Sequence, residues 1–92
     1  MNFIYTISNH KEEIIYVGRT NNFNRRFWTH KSSKTLLGNL LRNNIAKMEI
    51  LEIVDIKDAI QFEHYWICQM QKWGFELSNK KKINKSKIKF KK

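Results

Sequence analysis

Arg26 and His30 stand four positions apart in the stretch Tyr16–His30, YVGRTNNFNRRFWTH. On a helix that spacing brings both side chains onto one face, and Phe23 and Phe27 fall on or beside it. A guanidinium and an imidazole held against an apolar stripe can steady an anion and move a proton. They can equally be two solvated polar residues on an amphipathic helix. The other candidates for chemistry are Tyr5, Tyr16, Arg19, Glu63 and Asn79. Glu63 is out of place, because it interrupts an apolar stripe between Phe62, Trp66 and Ile67. A buried, unpaired carboxylate is costly, so it must be paired with an arginine, protonated or bound to a cation.

With one candidate acid, a metal site would suit Mg²⁺ (or Mn²⁺), which keeps most of its waters and often shares one protein ligand with a substrate phosphate. It would make a poor zinc site, and the spacing of His10, His30 and His64 fits no zinc-finger pattern. An arginine beside such a metal can neutralise charge developing on a phosphate. A tyrosine could take a proton from water only if nearby positive charge lowered its pKa from about 10. His30 could take that proton instead, or hold the tyrosine in place. One divalent metal, one arginine and one phenolic base amount to a phosphodiester hydrolase.

The elements that must position these groups follow from the patterning. Residues 2–8, NFIYTIS, alternate as a strand, with Phe3, Tyr5 and Ile7 on one face. Residues 9–13 form a hairpin connection without Gly or Pro, and residues 14–18 a second strand. Tyr5 and Tyr16 then share a sheet face, and Gly18 ends the strand at a sharp turn. Asn21 or Asn22 caps a helix from Phe23. Residues 35–44 carry Leu36, Leu37, Leu40 and Leu41 at helical spacing, weakened by Gly38. Residues 48–54 read as a third strand. Asp58 opens the longest helix in a capping-box-like pair with Gln61, and Gly74 stands where a left-handed residue would end it. The buried face of that helix is Ala59, Phe62, Glu63, Trp66, Ile67, Met70 and Trp73. Cys68 reads as inert core, and Trp28 as core or rim packing in preference to stacking on a base.

A chain of 92 residues suggests one domain, whose small core the 13% aromatic content helps to fill. Cys68 is the only cysteine, so there is no intrachain disulfide. No apolar run approaches a membrane span. These features suggest a reducing, cytoplasmic setting without membrane attachment. The net charge of +10 is uneven. Residues 1–79 hold ten Lys/Arg and all eight Asp/Glu, a net +2, whereas residues 80–92 hold eight Lys and no acid. Such a lysine-rich tail, beginning with Lys80, Lys81 and Lys82, suits a nucleic-acid backbone and carries no base specificity. A solubilising tail, or attraction to anionic lipid, would leave the same pattern.

The chain resembles the GIY-YIG endonucleases over about residues 3–79. The resemblance is carried in order by Phe3-Ile4-Tyr5, Tyr16-Val17-Gly18, Arg26 with His30 four on, Glu63 in Glu-His-Tyr-Trp-Ile, and Asn79. The departure is Phe3, where the motif has Gly; the tyrosine and the register are kept. The resemblance implies an α/β (α+β) fold in which helices flank a small three-stranded antiparallel sheet. It implies hydrolysis of a DNA phosphodiester with one divalent metal. Carried over, Glu63 binds the metal and Arg26 stabilises the phosphate. Tyr5 activates water, Tyr16 and His30 orient it, and Arg19 contacts phosphate. Gly18 and Asn79 give structural support, Asn79 by pinning backbone near the site, and Arg25 faces the surface. Residues 1–79 would be the nuclease domain and 80–92 the tail. Target choice in this family usually comes from added domains, so weak or shape-based specificity is expected, or specificity borrowed from a partner protein. Cutting both strands would take a homodimer or two visits. The AT-rich codon flavour of a chain rich in Asn, Ile and Lys suits a phage or mobile element. The rival readings are a catalytically silent nucleic-acid-binding module of the same fold, and an interaction protein that uses its basic tail on a partner.

Overall fold

A computed structural model of the chain describes residues 1–79. The lysines proposed as a backbone-binding tail, Lys80 onward, lie outside the described residues. The elements are β1 (Asn2–Asn9), β2 (Ile14–Thr20), α1 (Phe23–Ser32), α2 (Leu36–Arg42), β3 (Ala46–Val54) and α3 (Ala59–Lys72), with a 3₁₀ turn at Ile56–Asp58 before the last helix. The strands form one antiparallel sheet in the order β2-β1-β3. This is the three-stranded α+β architecture that the motif order implies.

The central strand explains the layering. Ile4, Tyr5 and Ile7 of β1 are fully buried, because the strand is covered on both faces. Ile4 joins Val17, Val54, Ala59 and Met70 beneath α3. Tyr5 and Ile7 join Leu37 and Leu41 beneath α2, with Phe23 and Phe27 of α1 packed alongside. Alternation along one strand therefore feeds two cores. Burying a large aliphatic side chain contributes roughly 1.5–3 kcal/mol.

Side chains replace the missing glycine in the β1–β2 hairpin. Asn9 Oδ1 accepts from the backbone N–H groups of Lys11 and Glu13, at 2.9 and 3.0 Å. Glu12 takes the left-handed conformation, at φ 63°, which costs little at an exposed turn held so firmly. The outer edge of β2 is covered by the segment after α3. Ser78 N–H donates to the Ile15 carbonyl at 2.7 Å. Asn79 then imitates a strand partner, accepting from Val17 N–H at 3.1 Å and donating to the Val17 carbonyl at 2.6 Å. The expected pinning role of Asn79 is thus present, and it removes one exposed edge.

Several local expectations are corrected. Gly18 does not end its strand, since β2 continues to Thr20. It lies opposite Tyr5, and a Cβ there would sit 2.5 Å from the Tyr5 Cζ and 2.9 Å from Tyr16 Cε2. Glycine is needed for the close approach of two phenols, not for a turn. Gly38 is likewise a packing residue, because a Cβ there would come within 2.6 Å of the His30 carbonyl oxygen. Asp58 makes no side-chain capping bond, because a 3₁₀ turn, not an extended residue, leads into α3. Trp73 is 59% exposed, past the end of the buried stripe. Cys68 is exposed and free. Trp28 is 60% exposed and belongs to no core. Gly74 does adopt a positive φ, 96°, after α3, as a left-handed terminator should. Among the described residues, no helix is long and apolar enough to cross a membrane.

Candidate active site

Asn22 starts the site by capping α1, its side chain accepting from Arg25 N–H at 3.0 Å. The cap fixes the helix phase, so that Arg26 and His30 turn inward while Arg25 and Trp28 stay exposed. Both inward groups meet the buried phenol of Tyr5. Arg26 Nε donates to Tyr5 Oη at 3.2 Å, and Tyr5 Oη lies 2.8 Å from His30 Nε2. An arginine Nε–H can only donate, so the phenol accepts from it. The bond between Tyr5 Oη and His30 Nε2 runs in either direction according to the imidazole tautomer. Tyr16 completes the group, with its ring centroid 5.3 Å from His30 and 6.1 Å from Tyr5.

Burial sets the protonation states. It pushes the Tyr5 phenol well above its ordinary range, more than the Arg26 hydrogen bond pulls it down. Burial, helped by the Arg26 charge, lowers His30 to about 4. Its bond to Tyr5 raises Arg26 further. The site at neutral pH is therefore a neutral phenol, a neutral imidazole and a guanidinium. Arg26 alone thus does not lower the Tyr5 phenol, and a Tyr5 base would need the further positive charge of a bound cation. Tyr5 is also fully buried, whereas Tyr16 is only half-buried and lines the cleft.

The cleft has a volume of about 570 Å³. Tyr16, Arg26, His30, Glu63 and Asn79 line it, with Thr29, Ser33, Thr35 and Leu36 along the α1–α2 side. Glu63 reaches it from α3, on the other face of the sheet, so the cleft wraps the outer edge of β2. Glu63 is buried, and Arg19 Nε donates to its Oε1 at 3.1 Å. The pairing with an arginine is thus one of the outcomes expected for a carboxylate in an apolar stripe. Among the described residues, no hydrogen bond reaches Glu63 Oε2. Nor, among them, do three or more His, Cys, Asp or Glu gather as a metal-binding group. One buried carboxylate with an oxygen to spare fits a hard cation that keeps most of its own waters, and it does not fit zinc.

Sequence reasoning missed two features. One is the row of hydroxyls on Thr29, Ser33 and Thr35. The other is the charge distribution within the folded body: residues 14–48 carry seven Lys/Arg and no acid, whereas residues 49–79 carry six acids and two lysines. The near-balance of the body hides this polarity, which counting by element would have exposed. The basic segment is the one that builds β2, α1 and α2 around the cleft.

The architecture and the residue pattern agree with known proteins. The family model described as the GIY-YIG catalytic domain matches residues 1–80. The solved structure of the catalytic domain of the homing endonuclease I-TevI superposes with a TM-score of 0.63, at 23% identity, covering 86% of this chain and 99% of that one. No curated protein sequence matches. A likeness at that identity speaks for the fold, whereas the match along residues 1–80 takes in every element that lines the cleft: the chain belongs to the GIY-YIG catalytic-domain family.

Proposed function

We propose that the chain is a metal-dependent DNA endonuclease that hydrolyses phosphodiester bonds with weak or shape-based specificity. The observation that carries this reading is the meeting of Arg26 and Glu63, from opposite faces of the sheet, in one cleft with Tyr16 and His30. DNA as substrate is supported by the acid-free segment around that cleft. It is also supported by the shared fold with a domain of a homing endonuclease.

In this reading the scissile phosphate lies against Arg26. The Nε–H is held by Tyr5, which fixes the plane of the guanidinium and leaves its terminal nitrogens for the phosphate oxygens. Charge gathers on those oxygens as water attacks phosphorus and the bond to the departing sugar oxygen breaks. Tyr16, the tyrosine on the cleft wall, would orient the attacking water. Tyr5 acts as a positioning residue behind it, locked between Arg26 and His30. Glu63 would hold a divalent cation such as Mg²⁺ or Mn²⁺, which supplies Lewis-acid stabilisation of the phosphate charge. Arg19, now on Glu63, is within the same charge network and would contact phosphate. The lysine tail would add affinity without base reading. Cleavage of both strands would call for a homodimer or sequential visits.

Nicking of supercoiled plasmid with Mg²⁺ or Mn²⁺, wild type beside Glu63→Ala and Arg26→Ala, tests the proposal. Metal-dependent nicking lost in both variants is the expected result. DNA binding without cutting of plasmid or branched DNA by the wild type would replace the enzyme with a catalytically silent binding module.

A further inference from the structure

Leu36 is the first residue of α2, lines the catalytic cleft and is 69% exposed. Its helical neighbours Leu37 and Leu41 are buried, so the leucine stripe read from the sequence has one member turned away from the core. Single exposed leucines are ordinary on protein surfaces. This one differs in where it stands and in how firmly it is held.

The turn that presents it is braced by several hydrogen bonds. Arg42 Nη1 donates to the Lys31 carbonyl at 2.7 Å and to the Ser33 carbonyl at 2.6 Å. Ser33 N–H and Oγ–H both donate to the His30 carbonyl, at 3.1 and 2.9 Å. Thr35 caps α2 by accepting from Gly38 N–H at 3.2 Å, and its carbonyl accepts from Asn39 N–H at 3.0 Å. Gly38 lets α2 close directly onto the end of α1. Leu36 is thus an apolar side chain on a rigid ledge. That ledge is bonded to His30, whose ring orders Tyr5, and it lies in a segment without any acidic residue.

We propose that Leu36 is a wedge that enters the base stack beside the scissile phosphate. The inference rests on the nuclease reading and names the substrate feature that the site prefers: a duplex step that unstacks easily. Proteins that kink DNA insert apolar side chains between base steps, and the cost of unstacking depends on the step. Pyrimidine–purine steps, TA and CA/TG, unstack most readily. A wedge beside the cleft turns that difference into a preference without any hydrogen bond to a base edge. Arg26 and Leu36 line the same cleft, so a duplex whose phosphate lies against Arg26 would present its neighbouring bases on the side of the ledge.

The test uses the full chain on two duplexes of one sequence around a TA step, one fully paired and one with a single-nucleotide bulge at that step. Leu36→Ala is expected to lower kcat/KM on the paired duplex roughly tenfold, because the wedge supplies part of the unstacking cost. On the bulged duplex, already unstacked, the loss is expected to be small. A 2-aminopurine placed at the step reports unstacking directly: its fluorescence rises when the wild type binds and stays low with Leu36→Ala. Equal activities of the two proteins on both duplexes, or equal losses on both, would overturn the wedge. A wild type that brightens 2-aminopurine but cuts neither duplex would overturn the nuclease reading and leave the wedge standing.

Discussion

The two faces of the β-sheet solve different problems. Beneath α3 the packing is aliphatic: Ile4, Val17, Val54, Ala59 and Met70 fill it, with Phe62, Trp66 and Ile67 alongside. Beneath α1 and α2 the centre is a phenol, Tyr5, bonded to a guanidinium and an imidazole. The charge follows the same division, with the acid-free residues 14–48 building the second face and the acid-rich residues 49–79 building most of the first. The apolar face can tolerate changes of shape, because dispersion and burial are non-directional. The polar face depends on fixed distances, so its apolar packing is supplemented by close approach at Gly18 and Gly38. Glu63 crosses the division, rooted on the α3 side and reaching the cleft.

If the faces are separable, a change on one should leave the property of the other intact. The largest effect is expected from Arg26→Ala, which removes the group proposed to face the phosphate. Removing one such transition-state partner costs about 10²–10³ in kcat, and the melting temperature should stay near that of the wild type. A nicking assay beside thermal unfolding checks both halves, and a loss of fold would erase the distinction between the faces. Met70→Ala is the converse. Met70 is 5% exposed in the α3 core, and such a truncation costs about 2–5 kcal/mol of stability. Nicking by the remaining folded protein, measured well below the melting transition, should be close to normal. Gly18→Ala should fall between the two kinds. Its methyl group would press on Tyr5 and Tyr16 together, at an overpacking cost of about 1–3 kcal/mol. Because the displaced rings are those that order Arg26, both stability and nicking should drop. Loss of stability with full nicking would mean that Tyr5 does not position Arg26.

Much of this division was legible in the sequence, and the rest was hidden for identifiable reasons. Period-two and helical patterning located every strand and helix, because those periods record which side faces apolar neighbours. The i, i+4 pairing of Arg26 and His30, and the odd placement of Glu63, pointed to residues that the fold brings to one cleft. The function of Gly18 was misread, because a glycine needed for a neighbour's ring looks the same in one dimension as a glycine needed for a turn. Trp73 and Cys68 were misassigned to core-like positions for a related reason: helical phase tells which residues share a face, not how far the covering elements extend. Leu36 sits at that limit, in phase with buried leucines yet beyond the edge of what they pack against. The protonation of Tyr5 was beyond reach, since sequence names the cation beside a phenol but not the burial that outweighs it.

The smallest expected effect is the most specific to the polar face. His30 is half-buried, and its pKa is lowered from 6.5 to about 4, first by desolvation and then by the Arg26 charge. In that window the unfolded chain binds a proton at this position and the native chain does not, so stability falls as pH drops from 6.5 towards 4. Above the window the contribution is fully present. Protonation in the native state would also place a second positive charge beside Arg26. His30→Gln keeps a side-chain oxygen that can accept from the phenol and removes the titration. The melting temperature of the wild type should therefore decline more steeply with acid than that of His30→Gln, while His10 and His64, both exposed, are common to the two proteins. Parallel declines would show that the imidazole is not held neutral between Tyr5 and Arg26, and the polar face would lose the fixed proton arrangement that sets it apart from the apolar one.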